Sequence, residues 1–271
     1  MIARHTFRAM GTEVELLLDG EPSDRFEAAE AEFERLEALL SRFRPDSELS
    51  RLNAAGALDA GPDLLAVTET ALAARERSRG RFDPTVHEAL MVAGYDRSFE
   101  LLVPDGEDRT ALASRCGGRV DIDGSHITLG RDVRLDLGGI AKGYAVDRAA
   151  TILDEVGPCL VNAGGDLAAR GGRWPVGLDG TDLVLELADG AIATSGRDRR
   201  RWRRGNDERH HLIDPATGRP AVTDLLHVTV IAPTAVEAEI LAKIAFLGGD
   251  VEVPRVLVRA DGTVTLAGGL G

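Results

Sequence analysis

Apolar positions in this chain recur with two different periods. In residues 12–18, TEVELLL, apolar and polar side chains alternate, the pattern of a half-buried strand. The segment DRFEAAEAEFERLEALLSRF then places Phe26, Phe33, Leu36, Leu40 and Phe43 on one helical face, with acidic residues early and arginine late, as the helix dipole favours. A second helix is expected over 63–79. Residues 100–118 are polar and irregular, and RVDIDGSHITLG predicts a hairpin turning at Asp123–Gly124. A helix over roughly 139–156 opens the second half. Short strands follow at CLVNA, RWPVGL, DLVLEL and AIATS, in a pair flanking RGNDERHH, and at HVTVIAP. TAVEAEILAKIAFLGG carries Val236, Ile240, Ile244 and Leu247 at helical spacing, and RVLVRADGTVTLAG closes as a hairpin through Asp261–Gly262. Helices at both ends of a long antiparallel stretch predict an α+β fold, a helix-bearing N-terminal half packed on a strand-rich C-terminal half, within one domain over 1–271.

Charge narrows the partners. A formal net charge of -13 argues against nonspecific nucleic-acid binding and against anionic membranes, since both depend on neutralising phosphates. A phosphate ligand would therefore need a local basic site. The arginines of RDRRRWRRGNDERHHLI suggest one, but beside a Gly-Asn turn they read better as a solvated hairpin. Cys116 and Cys159 lie far apart without CxxC spacing, which indicates neither a metal cluster nor a disulfide framework and fits a reducing compartment. No stretch is long and apolar enough to span a membrane, and neither a signal peptide nor a lipobox cysteine is present. The expected location is cytoplasmic, although an exported protein trimmed of its leader would read the same.

Candidate chemistry collects where apolar elements end. RLDLGGIAKGYAVD runs from a short strand through Gly138–Gly139 into a helix carrying Lys142 in its first turn, an arrangement suited to a phosphate but lacking the Gly-Lys-Ser/Thr of a Walker loop. NAGGDL places Asp166 after two glycines, ATSG holds Thr194, and HHLIDPATGRP combines His211 with Asp214, Pro215 and Gly218. Each of these also reads as a plain turn when taken alone.

Together, MGTEVEL, SRFRPDSELSRLN, GRFDPTV, LDLGGIAKGYAVD, NAGGDL, ATSG and HHLIDPATGRP resemble, in content and order, the ApbE-type FAD:protein FMN transferases, over residues 8 to about 249. The resemblance implies an ApbE-like fold and transfer of FMN from FAD to a threonine or serine hydroxyl of a target flavoprotein, with release of AMP. Carried over position by position, it implies FAD contacts at Met10, Phe43, Arg81, Phe82, Asp83, Asp136, Lys142 and Leu212. It implies a role in transfer for His211, and site roles for Asp166 and Thr194. It also implies Mg²⁺, held by the Gly139 carbonyl and by an Asp and a Thr spaced i, i+4, where this sequence has Glu239 and Lys243. A protonated lysine cannot ligate a cation, and Mg²⁺ tolerates displaced ligands poorly. Three arrangements follow: a transferase with altered metal dependence; an FAD-binding carrier or regulator that has lost transfer; or metal ligands elsewhere, such as Glu237 or Asp250. A phosphate-binding structural domain would explain the glycine turns but not the ordered motifs.

Overall fold

The computed structural model describes residues 1–102, 115–205 and 207–270. The chain opens with β1 (Ile2–Ala9) and β2 (Thr12–Asp19). Met10 and Gly11 join them with φ of 50° and 69°, as two-residue hairpin turns of type I′ require. Helix α1 (Arg25–Leu40) buries Phe26, Phe33, Leu36 and Leu40 as their spacing predicts. Phe43 departs from that stripe. The helix ends where Ser41 turns extended, and Phe43 packs instead on Tyr95 with ring centroids 5.5 Å apart.

Helix α2 (Glu48–Ala55) starts at Ser47, whose side chain accepts the Ser50 N–H, and closes at Gly56 with φ 78°. Strand β3 (Ala57–Asp59) leads to α3 (Pro62–Arg77), where Pro62 lies in the first turn and its missing N–H is no loss. After α4 (His87–Ala93), β4 (Val120–Asp123) and β5 (His126–Leu129) form the predicted hairpin, and β3 pairs with β5. The irregular stretch predicted over 100–118 lies largely outside the described residues, as does Asn206 of the predicted Gly-Asn turn.

The second half runs through α5 (Ala141–Asp154), β6 (Cys159–Ala163) and β7 (Asp166–Arg170). A hairpin of β8 (Trp174–Gly177) and β9 (Val184–Leu187) precedes β10 (Gly190–Gly196). Next come two pairs, β11 (Arg201–Arg204) with β12 (Asp207–His210) and β13 (Ile213–Asp214) with β14 (Arg219–Pro220). Strand β15 (Leu225–Ala232), helix α6 (Ala235–Phe246) and the hairpin of β16 (Arg255–Arg259) and β17 (Val264–Ala267) complete the chain.

Eight of these strands form one antiparallel sheet in the order β1-β2-β6-β7-β10-β15-β16-β17. The class is α+β, and the sheet draws on both halves, because β2 enters with Val14 opposite Ala163 of β6. Strand alternation then sorts the core. Val161, Ala163, Ala168, Ala193 and Val228 join the cluster formed by the helices, and the small alanines let α5 and α6 pack close to the sheet. Leu160, Leu167, Ala169 and Ile192 turn the other way, to Trp174 and Leu187 of the β8–β9 hairpin. Among the described residues no helix is long and apolar enough to cross a membrane.

Candidate active site

The glycine turn ahead of α5 is held from several sides. The short strand expected ahead of it does not form; residues 133–137 are irregular, and Asn53 takes the place of a strand partner: its side chain donates to the Leu135 carbonyl at 2.8 Å and accepts the Leu135 N–H at 2.7 Å. Asp136 accepts the Gly138 N–H at 2.9 Å and pairs with Arg42 at 2.5 Å. Arg42 in turn lies over the rings of Phe43 and Tyr95, 4.1 and 4.7 Å from their centroids, so the ion pair is backed by cation–π contact. Met10 is fixed in a left-handed conformation, and its N–H donates to Glu37 at 2.8 Å. A non-glycine residue strained in this way at the mouth of a cleft is a common mark of a functional position.

These elements enclose a cleft of about 310 Å³. Met10, Phe43, Arg81, Phe82, Asp83, Asp136, Gly139, Lys142, His211 and Leu212, all expected at the site, line it. Its apolar wall includes Leu40, Tyr95 and Leu137, and its cationic wall adds Arg200 and Lys243 to Lys142. Arg42, Tyr95 and Arg200 were not expected. Arg200 comes from the segment read as a solvated hairpin, and that reading needs correction. Trp202 beside it is buried, donates its indole N–H to the Ala93 carbonyl at 3.0 Å and packs on Tyr95, which anchors the hairpin over the cleft.

Asp166 stands behind the cleft. It is 1% exposed at the start of β7, and the Lys142 ammonium rests on its carboxylate. Burial pushes the Lys142 pKa down, and the nearby Glu239 carboxylate opposes that push. The structure does not bring Thr194 into the cleft. Its hydroxyl pairs with that of Thr229 at 2.9 Å, joining β10 to β15, and it faces a separate polar cavity beside Gly165 and Arg199.

His211 carries the sharpest electrostatic signature. Its ring is half-buried, and Nδ1 is buried without a hydrogen-bond partner. Burial, reinforced by the charges of Arg200 and Lys243, holds its pKa well below 6.5, so the imidazole is neutral at neutral pH. A neutral imidazole on a residue that lines a cleft is suited to accept a proton.

A model of the ApbE family matches residues 10–266. This chain belongs to the ApbE family. It is 33% identical over 249 residues to the FAD:protein FMN transferase of Treponema pallidum, an alignment covering 79% of this chain and 68% of that protein. It is 30% identical over 225 residues to the Escherichia coli K12 protein of the same name, covering 74% of this chain and 64% of that one. The crystal structure of an ApbE protein from Thermotoga maritima superposes with a TM-score of 0.85 at 27% identity, covering 98% of this chain and 97% of that one.

Within this ApbE framework the carboxylate expected to hold a metal is otherwise engaged. Glu239, 2% exposed on α6, accepts the Gly143 N–H through one oxygen at 2.9 Å and pairs with Lys243 through the other at 3.2 Å. Burial works against its charge, but the ammoniums of Lys243 and Lys142 outweigh it and keep its pKa below the usual carboxylate value. The stem of Lys243 fills the space over Gly139: a Cβ there would stand 2.9 Å from Lys243 Cε. A divalent ion bridging Gly139 and Glu239 would meet an ammonium in its place, so these residues do not fit Mg²⁺. Among the described residues, no group of three or more His, Cys, Asp and Glu side chains is arranged for a metal.

Proposed function

We propose that the cleft binds FAD and that the chain transfers its FMN moiety to a threonine or serine hydroxyl of an acceptor protein, releasing AMP. The observation that carries this reading is His211, a neutral base set among Lys142, Lys243 and Arg200 in a cleft whose lining also includes Leu40, Phe43, Phe82, Tyr95 and Leu137. Met10, Phe43, Phe82 and Leu212 supply walls for a flavin ring. Arg81, Asp83 and Asp136 offer polar contacts around it, and Lys142 faces the phosphates. Asp166 acts behind Lys142 as a positioning residue.

The acceptor oxygen forms a bond to the FMN phosphorus, the bond from that phosphorus to the bridging oxygen breaks, and AMP departs with the electron pair. The hydroxyl proton passes to the imidazole of His211. Charge developing on the departing phosphate is met by cations already in place, which is where preorganised electrostatics contribute most. The catalytic base and the cations are thus one cluster, supplied by β12–β13, α5, α6 and the segment before β11.

The test is to incubate the protein with FAD and an acceptor domain bearing a threonine target, and to record AMP release together with the acceptor's intact mass. An FMN-sized mass gain with equimolar AMP is expected. Tight FAD binding with neither product, repeated with a second acceptor, would replace the transferase reading by that of a flavin carrier.

A further inference from the structure

Lys243 sits on α6 one turn after Glu239, reaches over Gly139, and lines the same cleft as Lys142 and Arg200. Its ammonium is held by Glu239, whose second oxygen is held by the backbone of α5. The charge is therefore anchored to two helices rather than carried on a free side chain. With 17% of its side chain exposed, Lys243 retains access to the cleft. Three donors on a tetrahedral ammonium allow it to keep Glu239 and still reach a phosphate oxygen.

From this arrangement we infer that Lys243 is the resident cation of the pyrophosphate site, so that FMN transfer by this chain proceeds without a divalent metal ion. The inference rests on the transferase reading above and assigns its charge balance. As the acceptor oxygen bonds to the FMN phosphorus and AMP leaves, the negative charge gathered on the departing phosphate falls on Lys243, Lys142 and Arg200. No oxidant, reductant or metal enters the balance. A Cβ at position 139 would stand 2.9 Å from Lys243 Cε, so the lysine stem lies directly over the glycine turn.

Two independent readouts test the inference. In the first, Mn²⁺ is titrated by electron paramagnetic resonance into FAD-loaded wild type and into the Glu239→Asp, Lys243→Thr double variant. The double variant should bind at least about 100-fold more tightly than wild type, because it removes the competing ammonium and offers oxygen ligands. In the second, AMP release is followed in excess EDTA. Wild type should stay within about 2-fold of its rate with Mg²⁺. Lys243→Met should fall by about 100-fold or more in the rate at saturating FAD, beyond whatever FAD affinity it loses, the loss typical of one preorganised donor. If Lys243→Met does not fold because Glu239 is left unpaired, Glu239→Gln with Lys243→Met removes both charges and keeps an acceptor for Gly143. Tight Mn²⁺ binding by wild type, or activity abolished by EDTA and restored by Mg²⁺, would overturn the inference. Should no acceptor be labelled under any condition, the transferase reading fails. The Mn²⁺ titration would then still decide whether an ion or Lys243 holds the position.

Discussion

Replacing Asp166 with leucine should destabilise the fold far more than the loss of an ordinary surface ion pair. Asp166 is 1% exposed, and its carboxylate is the counterion of Lys142, whose side chain is 17% exposed. Breaking a fully buried pair by removing one partner costs about 3–5 kcal/mol, because the other charge is left desolvated. The opening of Lys142 onto the cleft and the proximity of Glu239 place this case near the lower bound, about 3 kcal/mol. For chains of 150–250 residues each kcal/mol moves Tm by roughly 2–4 °C, so a fall of about 6–12 °C is expected for this slightly longer one. The decisive measurement is a double-mutant cycle by urea unfolding with Asp166→Leu, Lys142→Met and the pair together. Removing both charges should recover most of the loss, with a coupling energy of about 2 kcal/mol or more. A single-variant cost below about 1 kcal/mol, or coupling near zero, would mean that the pair behaves as a solvated surface contact. The placement of Asp166 behind the cleft would then lose its physical basis.

Three further outcomes follow from the same geometry. His211→Ala should lower the transfer rate by about 10²–10⁴-fold while leaving FAD affinity within about 3-fold, measured by single-turnover AMP release beside flavin fluorescence titration; equal losses in both would make His211 a binding residue alone. Gly143→Ala, a change that favours an isolated helix by about 1 kcal/mol, should here destabilise by about 1–3 kcal/mol, because a Cβ would stand 2.6 Å from the Ala235 carbonyl oxygen; an unchanged or raised Tm would refute the close approach of α5 to α6. Burial depresses the pKa of His87, His210, His211 and His227 below 6.5, so on acidification the unfolded chain takes up protons first and stability falls as pH drops below 6.5. Each histidine contributes at most about 1.4 kcal/mol per pH unit, and His227→Gln should flatten that slope in unfolding curves at pH 7.0, 6.0 and 5.5.

How much of this was legible depended on whether a residue's signal was local. The stripe of Phe26, Phe33, Leu36 and Leu40 announced α1, since helical spacing alone assigns a buried face. Phe43 continued the spacing but not the helix, because the exit at Ser41 is a backbone event that periodicity does not encode. Helices α2 and α4, at 8 and 7 residues, are too short for periodicity to separate from loops. Ser47 and Gly56 were the signals that mark α2. The sheet order was not legible, because Val14 pairs with Ala163 across most of the chain. At the site the glycine turn, Lys142, Asp166 and His211 stood out from composition and resemblance, but the Lys142–Asp166 pair spans two elements and emerges only on folding. Arg200 was hidden among neighbouring arginines, where nothing in the pattern tells which one faces inward.

Two helices that cap each other explain why this cleft can be built on a chain with a net charge of -13. Asp147 of α5 accepts the N–H groups of Ala235 and Val236 at 2.9 and 3.0 Å, closing the start of α6, which Thr234 also caps through the Glu237 N–H. Glu239 of α6 returns the service by accepting the Gly143 N–H in the first turn of α5. Each acid sits where a helix N-terminus favours a negative charge, and each fixes the neighbour's first turn. Lys142 rides on the first turn of α5, and Lys243 lies in the last turn of α6, held by Glu239 one turn before it, so both ammoniums are set by helix geometry instead of by flexible loops. Beyond about 10 Å, salt screens the surplus of surface acids, whereas charges on a partly desolvated wall are screened far less. The local cations therefore govern an anionic ligand once it reaches the cleft, while the net charge slows its approach. That division predicts a binding rate that rises with ionic strength and a dissociation rate that hardly changes, the opposite of a ligand steered by the surface as a whole.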